Sequence, residues 1–162
     1  MFQAIPQEED RSSQFKSILH QLQALIADEP SPIANLANAS ALLKVYMADT
    51  NWLGFYLYDG QELVLGPFQG LPACIRIPLG KGVCGTSAQQ QKTLLVDDVH
   101  EFPGHIACDE ASNSEIVVPM LRKNGELYGV LDIDSPIKSR FDTEESQFLE
   151  QFVQLLMEQI DA

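Results

Sequence analysis

Basic residues are scarce in this chain. Ten lysines and arginines stand against 23 aspartates and glutamates in 162 residues, a formal net charge of −13. So little positive charge argues against nucleic acid or an anionic membrane as partner, since both need a basic footprint. It favours a ligand that carries a positive group. Long apolar runs are also lacking: none approaches the roughly 18 residues of a membrane span. The opening MFQAIPQEEDR has neither the basic nor the hydrophobic region of a signal peptide. A cytoplasmic location is the expectation. Cysteines number three, at positions 74, 84 and 108, with no C-x-x-C pair. That pattern matches neither a secreted disulfide framework nor paired zinc-ligand spacing. In a reducing compartment such thiols are buried fillers, metal ligands or working groups.

What is present is the composition of one globular domain spanning 1–162, with 45% hydrophobic and 20% charged residues. Phe15, Ile18, Leu19, Leu22, Leu25 and Ile26 recur on a helical period, and Asp28-Glu29-Pro30 ends that stripe. Ser31 reads as an N-cap with Pro32 at the first helical position of a second helix, reaching about Met47. Asp142 and Glu145 resemble a capping box before a C-terminal stripe of Leu149, Phe152, Val153, Leu156 and Ile160. Between these helices the period changes to two. Segments 51–58 and 61–68 flank Asp59-Gly60, and 115–123 and 126–134 flank Asn124-Gly125, both suited to two-residue hairpin turns. Shorter strands are expected over 74–77 and 93–96, with a short helix over about 82–91. The fold class is α+β: an antiparallel sheet of about five to six strands with N- and C-terminal helices packed on one face.

The second hairpin brings carboxylates together. A two-residue Asn124-Gly125 turn pairs Lys123 with Glu126, which puts Glu115 opposite Asp134 and Val117 opposite Asp132. Alternation then gives one face Ile116, Val118, Met120, Leu127, Leu131 and Ile133. The other receives Glu115, Val117, Pro119, Tyr128, Val130, Asp132 and Asp134. Opposed like charges cost a few tenths to about 1 kcal/mol. A solvated sheet face is the plain explanation; a site for a substrate ammonium, or for a carboxyl that stays protonated, is the functional one. A bulge near Pro119 would shift the register by one. In the first hairpin Leu53, Phe55 and Leu57 share the core face. Trp52 and Tyr56 fall on the opposite face, where they either line a pocket for an apolar or sulfur-bearing group or simply pack beneath a loop.

The cysteines sit in or beside Gly/Pro-rich loops. Cys108, seven residues before Glu115, can fold over the acidic face. Cys84 follows a glycine bend, at a helix N-terminus that would favour its thiolate. Cys74 lies near the start of a strand. Buried inert thiols are the alternative, as is a metal site using His100 and His105, and Cys108, His105 and Asp109 offer a hydrolytic set. His20 falls on the polar side of the first helix.

The segments NWLGFYLYDG, LVLGPFQGLPACIRIPLGKGVCGT, DVHEFPGHIACDEASNSEIVVP and NGELYGVLDIDSP resemble the free methionine-(R)-sulfoxide reductases, which are GAF-domain enzymes. The match runs in order from about Asn51 to Pro136. The resemblance implies reduction of free methionine (R)-sulfoxide, with thioredoxin as final reductant and no bound cofactor or metal. It also implies that Cys108 is the catalytic thiol, Cys74 the resolving one and Cys84 a second candidate disulfide partner. Glu115, Asp132 and Asp134 correspond to the family's substrate-binding carboxylates and Trp52 to its methyl pocket. Association into a homodimer is expected only by analogy with the fold. Two rival readings make different demands: a stand-alone GAF binding module needs no thiols, and a metal protein would carry stoichiometric zinc.

Overall fold

The structure is a computed structural model that describes residues 2–4, 10–105 and 109–161. Two helices lead, α1 (Arg11–Ile26) and α2 (Pro32–Tyr46). Strands β1 (Trp52–Tyr58), β2 (Glu62–Gly70) and β3 (Arg76–Pro78) follow. Helix α3 (Gly82–Gln90), strand β4 (Leu94–Val96) and a single 3-10 turn (Val99–Glu101) come next. Strands β5 (Ser114–Leu121) and β6 (Leu127–Ser135) and helix α4 (Thr143–Ile160) complete the described chain. The strands form one sheet in the order β3-β2-β1-β6-β5-β4, and every neighbouring pair is antiparallel. Among the described residues, no helix is long and apolar enough to cross a membrane.

The helix starts follow from capping chemistry. Asp10, Ser31 and Asp142 each accept a first-turn N–H, from Ser12, Ala34 and Glu145 respectively. Only half of the expected capping box at Asp142 forms. The Glu145 carboxylate turns instead to Arg140, at 2.7 and 2.9 Å. Helices α1, α2 and α4 cover one face of the sheet, where Leu22, Leu43, Phe55, Ile116, Leu131 and Phe152 are fully buried. Each such side chain contributes about 1.5–3 kcal/mol by leaving water. His20 is exposed, as its position off the stripe requires. Helix α3 alone crosses the opposite face, packing on β5 and β6.

Both hairpin turns differ from the expected form. In the first, Asp59 N–H donates to the Glu62 carbonyl, so Gly60 and Gln61 are the central pair, with Gly60 at φ 98°. Asp59 stays extended and its carboxylate accepts the N–H groups of Gln61 and Glu62. In the second, Arg122 N–H donates to the Glu126 carbonyl and Gly125 N–H to Arg122, leaving a three-residue loop with Gly125 at φ 88°. That loop moves the register by one. The slip is absorbed between Met120 and Leu121, where pairing jumps from Met120–Gly129 to Leu121–Leu127 and Tyr128 is the extra residue. Tyr128 therefore swings to the helix side beneath the Arg122 guanidinium, and Leu127 joins the opposite face, an exchange of the faces expected for this pair. Beyond the bulge, on the side away from the turn, the expected pairing of Glu115 with Asp134 and Val117 with Asp132 holds.

Strand β3 begins at Arg76, so Cys74 precedes it in a loop rather than lying within it. After Leu65 N–H donates to the Ile75 carbonyl, the next donor position along this edge is Pro67, which has no N–H. The same Gly66-Pro67 pair bulges opposite Phe55 in the β1–β2 ladder.

Strands β1 and β6 approach closely at Gly129, where an added Cβ would lie 2.2 Å from the Tyr56 carbonyl oxygen. Backbone cannot yield there. We expect Gly129→Ala to lower the unfolding free energy by about 1–3 kcal/mol in urea denaturation; an unchanged midpoint would mean that the strands separate freely.

Candidate active site

The sheet register lines up rows of side chains across three strands. Trp52, Asp134 and Glu115 stand side by side on β1, β6 and β5. The next row on the same face is Gly54, Asp132 and Val117. Gly54 is required there, because an added Cβ would lie 2.2 Å from the Cβ of Phe68. Helix α3 closes over these rows. Glu115 is 6% exposed and Asp132 5%, with Asp134 half-buried, so the face is not the solvated one that the plain explanation supposes.

Three carboxyls in such a site cannot all ionise. Burial pushes Glu115 well above the usual carboxylate range, and the neighbouring charges of Asp132 and Asp134 add to it. Asp134 is raised in the same way, by burial first and then by Asp132. Asp132 is raised by burial, but hydrogen bonding from Glu115 and Cys84 pulls it back. Its Oδ1 is buried without any partner. The cluster is short of positive charge, and the pocket it lines is a small cavity of about 40 Å³.

The aromatic wall stands as expected. Trp52 stacks with Tyr56, at 5.7 Å between ring centroids, and with Phe68, at 5.1 Å. Each ring also ties down the loop after β2. Trp52 Nε1 donates to the Leu71 carbonyl at 3.2 Å, and the Tyr56 hydroxyl donates to the Cys74 carbonyl at 2.9 Å. Burial, followed by the charge of Asp132, raises the pKa of Tyr56, so it remains a donor.

The cysteines occupy unlike environments. Cys74 is half-buried and disulfide-bonded. Cys84 is a free, buried thiol in the first turn of α3, with Sγ 3.8 Å from Glu115 Oε2. The helix N-terminus does not activate it: burial, then the charges of Asp132 and Glu115, push its pKa well up. Cys108 lies outside the described residues. On either side of that gap His105 and Asp109 both line the pocket. Asp109 is anchored by Asn51, whose side-chain nitrogen donates to its carboxylate at 2.9 Å and to Ser112 Oγ at 3.1 Å.

The residue patterns in the sequence pass over Asn51 and Ser112, whose roles depend on contacts some sixty positions apart. They also pass over the α3 N-terminus as a polar wall. Lys81 provides no side-chain cap to this end of the helix, and Gly82 and Val83 of its first turn line the pocket. Among the described residues the histidine-based metal set does not assemble. His100 bonds Asn113, its ring lies 6.3 Å from that of His105, and burial lowers the pKa of His105. Among the described residues, the group close enough to share a cation is Cys84, Glu115 and Asp132.

This architecture is that of the GAF class, and the family model for the GAF domain matches residues 19–160. Comparison with known proteins is more specific. The chain is 56% identical over 130 residues to the free methionine-R-sulfoxide reductase of Escherichia coli, covering 80% of this chain and 78% of the relative. It is 47% identical over 131 residues to that of Saccharomyces cerevisiae, covering 76% and 73%. The crystal structure of the Neisseria meningitidis free methionine-R-sulfoxide reductase in complex with its substrate superposes with a TM-score of 0.93 at 41% identity, covering 99% and 96%. The chain belongs to the free methionine-R-sulfoxide reductase family of GAF-domain proteins.

The raised carboxyls make stability depend on pH in the direction opposite to ordinary paired acids. Above about pH 4 an unfolded Glu115 loses its proton while the folded one keeps it, so the native state binds more protons and stability falls as pH rises. Glu115→Gln removes that loss. Thermal melts should show the variant gaining over wild type from about pH 4 towards about pH 8, by a few degrees at the upper end. A constant gap would mean that Glu115 ionises normally in the folded protein.

Proposed function

We propose that the protein reduces free L-methionine (R)-sulfoxide to L-methionine, with Cys108 as nucleophile, Cys74 as resolving thiol and thioredoxin as reductant, within one GAF-like unit spanning 1–162. The observation that carries this reading is the buried Glu115–Asp132–Asp134 cluster, walled by Trp52 and Tyr56 and flanked by both ends of the loop that bears Cys108. A cluster so short of positive charge suits an α-ammonium, which a methionine within a protein chain lacks. The uncapped N-terminus of α3, where Gly82 and Val83 line the pocket, suits the α-carboxylate, and the Trp52 side chain suits the S-methyl group.

The steps balance. The Cys108 thiolate attacks the sulfoxide sulfur while a carboxyl of the cluster, its pKa raised by burial, gives a proton to the oxygen. Oxygen passes to Cys108, the S–O bond of the substrate breaks, and methionine leaves with Cys108 as a sulfenic acid. The Cys74 thiolate attacks that sulfur, forming a disulfide and releasing water, and thiol exchange with reduced thioredoxin returns both thiols. Cys74 supports the resolving role by its disulfide and by a loop held to the aromatic wall, whereas Cys84 is a free thiol beneath the acids and serves as a second candidate partner. A cavity of about 40 Å³ holds a few waters rather than an amino acid, so substrate binding enlarges the pocket.

The decisive assay couples thioredoxin and its NADPH-dependent reductase to racemic free methionine sulfoxide, with chiral analysis of what remains. Loss of the R-epimer alone, abolished in Cys108→Ser, is expected. Binding without turnover by the reduced protein would make it a ligand sensor. Glu115→Gln should cut kcat by about 100-fold or more if Glu115 is the proton donor. N-acetylmethionine (R)-sulfoxide should lose at least about 100-fold in kcat/KM, because its blocked nitrogen leaves buried carboxylates unpaired. Equal rates on the two substrates would remove the ammonium from the recognition argument.

A further inference from the structure

We propose that Cys84, Glu115 and Asp132 form a binding site for a borderline-soft divalent cation such as zinc or cadmium. One ligand atom from each lies within 4.8 Å of the others, and all three residues are buried. Two ligands on a tetrahedral zinc, with Zn–S about 2.3 Å and Zn–O about 2.0 Å, sit about 3.5 Å apart. The Cys84 Sγ to Glu115 Oε2 separation of 3.8 Å is within a small side-chain adjustment of that value. The second observation is independent of the clustering. Asp132, 5% exposed, is one of the residues that line the cavity, and its Oδ1 is buried with no hydrogen bond to satisfy it. A buried acceptor left bare in a pocket of like-charged groups is a position that a cation would fill.

The donor set selects the metal. One thiolate with carboxylates suits zinc or cadmium better than magnesium or calcium, which take oxygen ligands alone. Coordination exchanges the Cys84 proton, and the proton of any ligating carboxyl that carries one, for the metal, releasing them to water, and no electron moves. The cavity leaves room for a water as fourth ligand. Because Glu115 and Asp132 are the groups assigned above to the substrate, a bound cation would exclude methionine sulfoxide and inhibit competitively. That consequence rests on the proposed function; the binding itself does not.

The test uses the full chain with Cys74→Ser and Cys108→Ser, in which Cys84 is the remaining cysteine, titrated with cadmium. We expect one equivalent bound, with a sulfur-to-cadmium charge-transfer band that vanishes when Cys84→Ser is added. Asp132→Asn keeps the thiol and removes a buried charge, so it should fold, keep a weaker band and bind at least tenfold less tightly. A band unaffected by Asp132→Asn, or no stoichiometric binding, overturns the proposal. In active wild-type protein, zinc should raise the apparent KM for the sulfoxide and leave kcat unchanged after chelator reversal; inhibition that survives Cys84→Ser unchanged would place the metal elsewhere and also overturn it. If the protein proves inactive, the function above fails while the cadmium titration still decides the cation site.

Discussion

Opposed carboxylates under a helix are the constraint on which the rest of this structure depends. Glu115 faces Asp134 across β5 and β6, Asp132 follows two residues along β6, and α3 seals the row from water. Each carboxyl loses hydration on folding, and among the described residues none is paired with a cationic side chain in return. The fold offsets this from the other face of the same strands. Ile116, Leu131 and Ile133, the neighbours of the acids in sequence, are fully buried beneath α1, α2 and α4. A strand that alternates carboxylate with core aliphatic cannot slip by one residue without burying acids among the helices. The apolar face thereby holds the charged face in register.

That alternation is also why the site was legible in the sequence and why parts of it were not. Period two placed Glu115, Asp132 and Asp134 on one face and Trp52 with Tyr56 on the same side of β1, and the structure keeps both sets. The turn was read one residue too short. Asn124 does not take φ > 0, so the loop lengthens and Tyr128 bulges out to restore the pairing. A two-letter turn signal cannot distinguish these outcomes, because the choice depends on strand twist and on what the extra side chain finds to pack against. Tyr128 finds the Arg122 guanidinium, 4.9 Å from its ring centroid. The burial of the acids was less legible still. It comes from α3, whose position over β5 and β6 is set by contacts distant in sequence. Cys84 shows the same limit. Its place at a helix N-terminus favours a thiolate, but three nearby carboxyls and full burial outweigh a dipole effect of about 0.3–1 kcal/mol.

The aromatic wall connects the acid face to the thiol loop. Trp52 stacks with two rings and donates from Nε1 to the Leu71 carbonyl, while Tyr56 reaches the Cys74 carbonyl from the same strand. Backbone rather than side chain is held in both cases. Pro67, which has no N–H, follows the Leu65 to Ile75 hydrogen bond along the β2 edge before it reaches Cys74. The tethering thus comes from the rings that the proposed substrate would touch, and binding and thiol position share the same side chains.

A pocket of this kind has one way to lower its electrostatic energy without unfolding, which is to take up positive charge. Protons supply it first, and the raised carboxyls are the sign that they do. An α-ammonium or a metal cation would supply it better, because either brings a full charge to the bare oxygen of Asp132 without requiring every carboxyl to stay neutral. The two differ in what they release. A single ammonium charge among three carboxyls leaves a proton on the cluster for a reacting sulfoxide, whereas a divalent ion would displace the thiol proton of Cys84 and hold its ligating acids ionised. The same electrostatic deficit that suits the pocket to a free amino acid therefore leaves it open to a cation that would abolish its acid chemistry. The buried position of Cys84 beside Glu115 is what makes that second outcome chemically distinct from the first.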